Sequence, residues 1–108
     1  MKTKLPKLLE KYVQASNENN VKKFVSCFAS SASVHDEGEL RTGIDQISSW
    51  FVKTRRKYKF KTEPLHFEDH KDSAVLTARV TGDFPGSPIN LSYKFRFKSG
   101  LIEELSIL

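Results

Sequence analysis

The chain has 108 residues, of which 38% are hydrophobic and 29% are charged, and its formal net charge is +5. This composition is typical of one folded domain spanning residues 1–108 and excludes a disordered chain. A single cysteine excludes an internal disulfide, and no stretch has the pattern of a signal peptide or a membrane span. We therefore expect a cytoplasmic protein without a membrane partner.

Two amphipathic helices are predicted at the start of the chain. Apolar residues recur at helical spacing over residues 3–16, and the polar segment SNENN, residues 16–20, interrupts this pattern. Apolar residues at helical spacing from Val21 to Phe28 predict a second helix, with Asn20 as its N-cap. Cys27 lies among the aromatic residues of this helix, which indicates a small buried thiol.

A short strand and a third helix follow. Val34 and Asp36 are two residues apart, so both point inward from the strand, whereas His35 points outward. After a glycine-containing turn, Thr42 and Asp45 are predicted to cap the third helix. The apolar side of this helix is formed by Ile44, Ile47, Trp50 and Phe51.

The segment KTRRKYKFK, residues 53–61, concentrates the positive charge, with six lysines or arginines and no acid. Basic residues that alternate with Tyr58 and Phe60 can bind single-stranded nucleic acid. A simpler interpretation is that the cations complement the C-terminal end of the third helix and then point outward from a strand. We favour this interpretation, so nucleic acid is not the expected partner.

From Tyr58 onward the apolar pattern changes to the alternation of β-strands. The inward face moves by one residue at Glu63–Pro64, which indicates a β-bulge. Turns are predicted at HKDS (70–73), at PGSP (85–88) and at Ser99–Gly100. The inward residues are Leu76, Ala78, Val80, Gly82 and Phe84 in one strand and Ile89, Leu91, Tyr93, Phe95 and Phe97 in the next.

Helices followed by long strands predict an α+β fold, in which the helices pack on one face of an antiparallel sheet. The last strand, residues 101–108, carries apolar residues on both of its faces. A strand that is apolar on both faces implies a partner surface, so we expect a two-fold homodimer that pairs through the sheet.

The segment from Cys27 to Phe51, CFASSASVHDEGELRTGIDQISSWF, resembles the most specific motif of the nuclear transport factor 2-like superfamily. This superfamily includes SnoaL-like cyclases, limonene epoxide hydrolase-like proteins and ketosteroid isomerase. The resemblance covers nearly the whole chain. It implies a cone-shaped barrel made of a curved antiparallel sheet, with three N-terminal helices packed on its concave face.

Three positions are similar to functional positions of ketosteroid isomerase. The segment KYVQASNENNV resembles that family's first helix, whose tyrosine donates to the developing enolate, and the matching residue is Tyr12. SVHDE matches the segment that carries the general base, which implies this role for Asp36. SYKFRF matches the strand of the second oxyanion donor, but Tyr93 stands where the family has an aspartic acid. A phenol can donate a hydrogen bond in place of a neutral carboxylic acid.

The residue pattern agrees with this comparison, because Tyr12, Asp36 and Tyr93 all have the position of inward residues. A carboxylate in an apolar cavity has a raised pKa and is a better base, and two phenols facing it can stabilise an oxyanion. We expect the cavity to bind a small apolar organic molecule and to work without a metal or an organic cofactor. Its predicted walls are Phe28, Trp50, Phe51, Leu76 and Phe95.

Alternative interpretations stay open for each site residue. Asp36 can be a structural partner of a helix N-terminus or turn, or a pocket residue that binds a ligand without catalysis. Tyr12 and Tyr93 can be core aromatics that fill the cavity. The chain would then be a non-catalytic association or dimerisation module that uses the outer face of the sheet, so whether it is an enzyme stays open. His66 and His70 lack a second cluster of ligands, and we expect no metal site there.

Overall fold

The computed structural model describes residues 4–108. In chain order, its elements are α1 (Lys7–Glu18), α2 (Val21–Val25), β1 (Phe28–Asp36), β2 (Glu39–Thr42), α3 (Ile44–Tyr58), β3 (Lys61–His70), β4 (Ser73–Thr81), β5 (Ile89–Lys98) and β6 (Leu101–Ile107). The six strands form one curved sheet in the order β2-β1-β6-β5-β4-β3. The predicted α+β fold is confirmed, with two details added: the sheet is not closed, and β1 and β6 run parallel. None of the helices described here is long and apolar enough to cross a membrane.

Helix α1 begins after Pro6 and continues to Glu18, beyond the predicted end at residue 16. The predicted start at residue 3 lies outside the described residues. The helix ends at Asn19, which has the left-handed conformation (φ 56°) and whose N–H reaches the carbonyl groups of the last turn. Asparagine tolerates this conformation better than most residues, so the helix stops within the SNENN segment rather than at its start.

Helix α2 is shorter than the sequence pattern predicts. Asn20 is its N-cap as expected, and the side-chain oxygen accepts a hydrogen bond from the N–H of Lys23 at 3.1 Å. The helix stops at Val25, however, and Phe28 is the first residue of β1. Cys27 lies in the turn between the two elements and is fully buried, as predicted.

Strand β1 has the predicted side-chain alternation: Val34 is fully buried, His35 is exposed and Asp36 is half-buried. The turn after it consists of Glu37 and Gly38, which have φ of 54° and 76°. Two central residues with positive φ favour a tight β-hairpin. This hairpin creates β2, a short strand that the sequence pattern did not predict.

The predicted capping of α3 by Thr42 and Asp45 is wrong. Gly43 is the N-cap, and no side chain of residues 4–108 caps this end of the helix. Thr42 ends β2, and its backbone N–H donates to the side-chain oxygen of Gln46 at 2.9 Å. Because Thr42 is committed to β2, it cannot also occupy the N-cap position.

Strand β3 starts at Lys61, later than predicted, because Tyr58 is the last residue of α3 and Lys59 ends that helix in the left-handed conformation. The bulge predicted near Pro64 is confirmed by a register shift between Pro64 and His66 in the pairing with β4. After the bulge, Phe67 lies opposite Leu76 and packs against the core, whereas Leu65 stays exposed.

The two-sided apolar character predicted for the last strand is wrong. The register between β5 and β6 shifts between Arg96 and Phe97, which pair with Glu104 and Ile102. This irregularity lets Ile102 and Leu105 both point into the core, where they are fully buried. The strand therefore contributes its large buried side chains to one face.

Candidate functional site

A cavity of about 520 Å³ opens between the helices and the inner face of the sheet. A volume in this range suits a small organic molecule. The wall is mainly aromatic and aliphatic. Its polar side chains are Tyr12, Ser16, Asp36, Glu37, Thr54, Tyr58, Thr62 and Tyr93.

Asp36, the last residue of β1, lines this cavity. Burial raises the pKa of its carboxyl group, and the nearby charge of Glu37 acts in the same direction. Three interactions oppose this effect: the indole N–H of Trp50, which donates to Oδ2 at 3.0 Å, the charge of Arg41, and a hydrogen bond from the Glu37 backbone. The Arg41 guanidinium donates to the backbone oxygen of Asp36 at 2.7 Å, so Arg41 binds the turn directly. It acts on the Asp36 carboxylate through its charge.

Tyr12 projects from α1 into the same cavity, and only 4% of its surface is exposed. Its ring packs edge-on against Phe95, with the ring centroids 5.3 Å apart. Among residues 4–108, the Tyr12 hydroxyl has no hydrogen-bond partner. Burial raises the pKa of Tyr12 well above its usual value, so the phenol stays protonated and can donate to a bound molecule.

Tyr93 lies on the inner face of β5, lines the cavity and has its ring centroid 6.4 Å from that of Tyr12. Burial raises the pKa of Tyr93 to about 12, while a hydrogen bond with the Thr62 side chain acts in the opposite direction. Thr62 is itself held by Asn17, whose amide accepts from the Thr62 N–H at 2.8 Å and donates to its carbonyl at 2.9 Å. Asn17 thus joins α1 to the residue of β3 that hydrogen-bonds Tyr93.

Of the five predicted wall residues, Trp50 and Phe51 line the cavity. Phe28, Leu76 and Phe95 do not; they are buried in the core beside it. The cavity lies at the end of β5 that begins with Ile89 and reaches Tyr93, whereas Phe95 is farther along the strand. There, Phe95 is covered by the ring of Tyr12.

The mouth of the cavity contains a group of residues that sequence reasoning missed. The Tyr58 hydroxyl donates to Glu37 Oε2 at 3.2 Å, which links the end of α3 to the β1–β2 turn. The rings of Tyr58 and Phe84 stand at 87°, with centroids 5.8 Å apart, and Lys57 Nζ is 5.0 Å from the Tyr58 ring. No local pattern indicates this group, because it forms only when three distant segments meet.

The histidines of β3 lie away from this cavity. His66 and His70 are exposed, and each places Nε2 3.7 Å from a carboxylate oxygen of Glu68. Within the part of the chain that the structure describes, no three His, Cys, Asp or Glu side chains converge as metal ligands. The side chains of His66, Glu68 and His70 make this edge of the sheet polar and charged, which discourages pairing with another strand.

Comparison with known proteins identifies the family. The model of the SnoaL-like domain matches residues 9–105. A candidate polyketide cyclase from Sinorhizobium meliloti is 36% identical, with a TM-score of 0.94 over 96% of this chain and 95% of that chain. No curated protein matches the chain.

Two more distant structures share the fold alone. A Catenulispora acidiphila protein with a ketosteroid isomerase-like fold, solved with trimethylamine, is 19% identical, with a TM-score of 0.86 over 97% of this chain and 86% of that chain. A nuclear transport factor 2-like protein from Cytophaga hutchinsonii is 18% identical, with a TM-score of 0.80 over 100% and 93%. The chain therefore belongs to the SnoaL-like domain family, within the nuclear transport factor 2-like superfamily.

Proposed function

We propose that the cavity binds a small apolar carbonyl compound and catalyses a cofactor-independent acid–base step on it. Asp36 would be the general base, and Tyr12 and Tyr93 would donate hydrogen bonds to the carbonyl oxygen. One observation carries this proposal: three side chains from α1, β1 and β5, far apart in sequence, line a single cavity.

The proposed reaction begins when the Asp36 carboxylate removes a proton from the carbon next to the carbonyl group. The electron pair of the broken C–H bond moves to the carbonyl oxygen, and this enolate oxygen accepts hydrogen bonds from the two phenols. Burial keeps both phenols protonated and makes Asp36 a stronger base, which supports this division of roles.

The enolate can then react in two ways. If Asp36 returns the proton to a different carbon, the outcome is an isomerisation. If the enolate carbon attacks a second carbonyl group of the same molecule, a C–C bond forms and closes a ring, and Asp36 delivers its proton to the new alkoxide. The similarity to the Sinorhizobium candidate polyketide cyclase supports the second, aldol-type route.

The proposal is tested with a simple carbon acid. Exchange of the protons next to the carbonyl of 2-tetralone in D₂O, followed by proton NMR, measures proton removal without needing the natural substrate. We expect Asp36→Asn to slow this exchange by about 10²–10⁴-fold. Tyr12→Phe and Tyr93→Phe should each slow it by up to about 10²–10³-fold. Ser49→Ala, at an exposed position of α3, is the control. Exchange that persists in a folded Asp36→Asn variant would show that Asp36 is not the base.

Pairing of two copies through the outer face of the sheet stays a separate proposal. Strand β6 no longer supports it, because its large buried side chains, Ile102 and Leu105, both point into the core. The remaining support is the row of small side chains there: Thr77 lies opposite Ser92, and both are half-buried. Sedimentation at tens of micromolar tests it, and a species of 12.4 kDa alone would contradict it. A dimer whose cavity binds nothing would favour the non-catalytic association module. The cytoplasmic location also stays a prediction.

A further inference from the structure

We infer that the cavity prefers ligands that carry a protonated amine at its mouth over neutral or anionic ligands with the same apolar body. This inference rests on the proposed function in one respect: the cavity must bind a small molecule. It concerns the charge of the ligand and not the chemistry at Asp36, so the two can be tested separately.

The charge of the cavity wall is the first argument. Asp36 and Glu37 are the only charged side chains on the wall within the described part of the chain; no lysine, arginine or histidine of residues 4–108 lines it. Carboxylates on a wall that is partly shielded from water attract a cation and repel an anion.

The aromatic rings at the mouth are the second argument. Tyr58 and Phe84 both line the cavity, and their rings stand nearly at right angles. Glu37 accepts a hydrogen bond from the Tyr58 hydroxyl, so a carboxylate lies beside these rings. Aromatic faces next to a carboxylate are a favourable environment for an ammonium group.

Lys57 provides the third argument, because its ammonium group already lies over the Tyr58 ring. The Lys57 side chain is fully exposed, and its interactions with Tyr58 and with the charge of Glu37 raise its pKa. The mouth therefore attracts a cation from the protein itself. Arg41 is less available, since its guanidinium is bound to the Asp36 carbonyl and to the Glu39 carboxylate. A ligand ammonium at the mouth would compete with Lys57 for the Tyr58 ring and for the charge of Glu37.

A matched ligand series tests this inference: 3-cyclohexylpropylamine, 3-cyclohexylpropanol and 3-cyclohexylpropionate, all at pH 7. Trp50 is the only tryptophan in the sequence and lines the cavity, so its fluorescence reports binding, with calorimetry as a second readout. We expect the amine to bind about 3- to 10-fold more tightly than the alcohol, and the carboxylate more weakly than the alcohol. Added salt should reduce the advantage of the amine.

Two variants should change the ratio of amine to alcohol affinity in opposite directions. Glu37→Gln removes a carboxylate at the mouth and should abolish most of the preference. Lys57→Met removes the competing ammonium while keeping a long side chain, and should increase the preference. Lys53→Met, at an exposed lysine of α3 that does not line the cavity, is the matched control and should leave the ratio unchanged.

The outcomes separate this inference from the proposed function. Equal affinity for the amine and the alcohol, or a preference that survives in Glu37→Gln, would overturn the inference while leaving the cavity as a binding site. If no member of the series binds by either readout, the inference is overturned together with the small-molecule function.

Discussion

The indole N–H of Trp50 donates to Oδ2 of Asp36 at 3.0 Å, and this contact joins α3 to the last residue of β1. Burial raises the pKa of Asp36, and the Trp50 hydrogen bond is the strongest of the effects that oppose it. A donor to the carboxylate stabilises the charged form, so Trp50 favours ionisation of the proposed base and holds its orientation. Trp50 is therefore a positioning residue for Asp36.

Replacement of Trp50 by phenylalanine should raise the pKa of Asp36 further. Phenylalanine keeps an aromatic wall but cannot donate, so burial is no longer opposed by the indole. The carboxyl carbon of Asp36, observed by ¹³C NMR during a pH titration, measures this change, and Ser49→Ala serves as the control. A pKa that falls would mean that water entering the vacated space matters more than the lost hydrogen bond.

Stability should depend on pH through Asp36. Because the pKa of Asp36 is higher in the folded protein than in the unfolded chain, the folded state binds the proton more tightly, and stability decreases as pH rises through this interval. The decrease starts near the unfolded-chain pKa of about 3.9 and ends above the folded-state value.

Asp36→Asn removes this loss, so the variant should be more stable than the wild type at pH 7 and equally stable at pH 3. Urea unfolding at both pH values measures it; a less stable variant at pH 7 would indicate a structural role for the carboxylate.

Asn17 should stabilise the folded protein, because its side chain satisfies two backbone groups of Thr62. Its amide pairs with both the N–H and the carbonyl of Thr62, which is 5% exposed, at 2.8 and 2.9 Å. Asn17→Ala leaves these groups without partners, and we expect a loss of about 1–3 kcal/mol in the free energy of unfolding. Gln14→Ala, at an exposed position of α1, is the control. A loss equal to that of the control would mean that water replaces the amide.

Local periodicity was sufficient to predict most elements and the inward direction of Asp36. The alternation of Val34, His35 and Asp36 depends only on the geometry of an extended chain, which holds wherever a strand forms. The contacts that complete the site depend instead on residues brought together from a distance. Asn17 and Thr62 are 45 residues apart, and Glu37 and Tyr58 are 21 residues apart.

Errors in the sequence prediction arose where one residue could serve two elements. Phe28 fits the apolar spacing of α2, yet it begins β1, because the parallel pairing with Ile102 of β6 is made far along the chain. Ile102 and Leu105 have opposite parity in a regular strand, and only the irregular pairing of β6 with β5 brings both into the core. Local sequence patterns indicate neither the pairing of Phe28 with Ile102 nor the irregular pairing of β6 with β5.

Gly82 should be intolerant of any side chain, since it lies against the backbone at the mouth of the cavity. A Cβ atom there would lie 2.6 Å from the Tyr58 carbonyl oxygen and 2.9 Å from Phe60 Cα. Backbone atoms cannot move away singly, so Gly82→Ala should shift the segment that carries Tyr58 and Phe60, both of which line the cavity. We expect a loss of about 1–3 kcal/mol in the free energy of unfolding, together with weaker ligand binding by Trp50 fluorescence. Thr81→Ala, at the exposed neighbouring position, is the control. A Gly82→Ala protein as stable as this control would mean that the contact relaxes without cost.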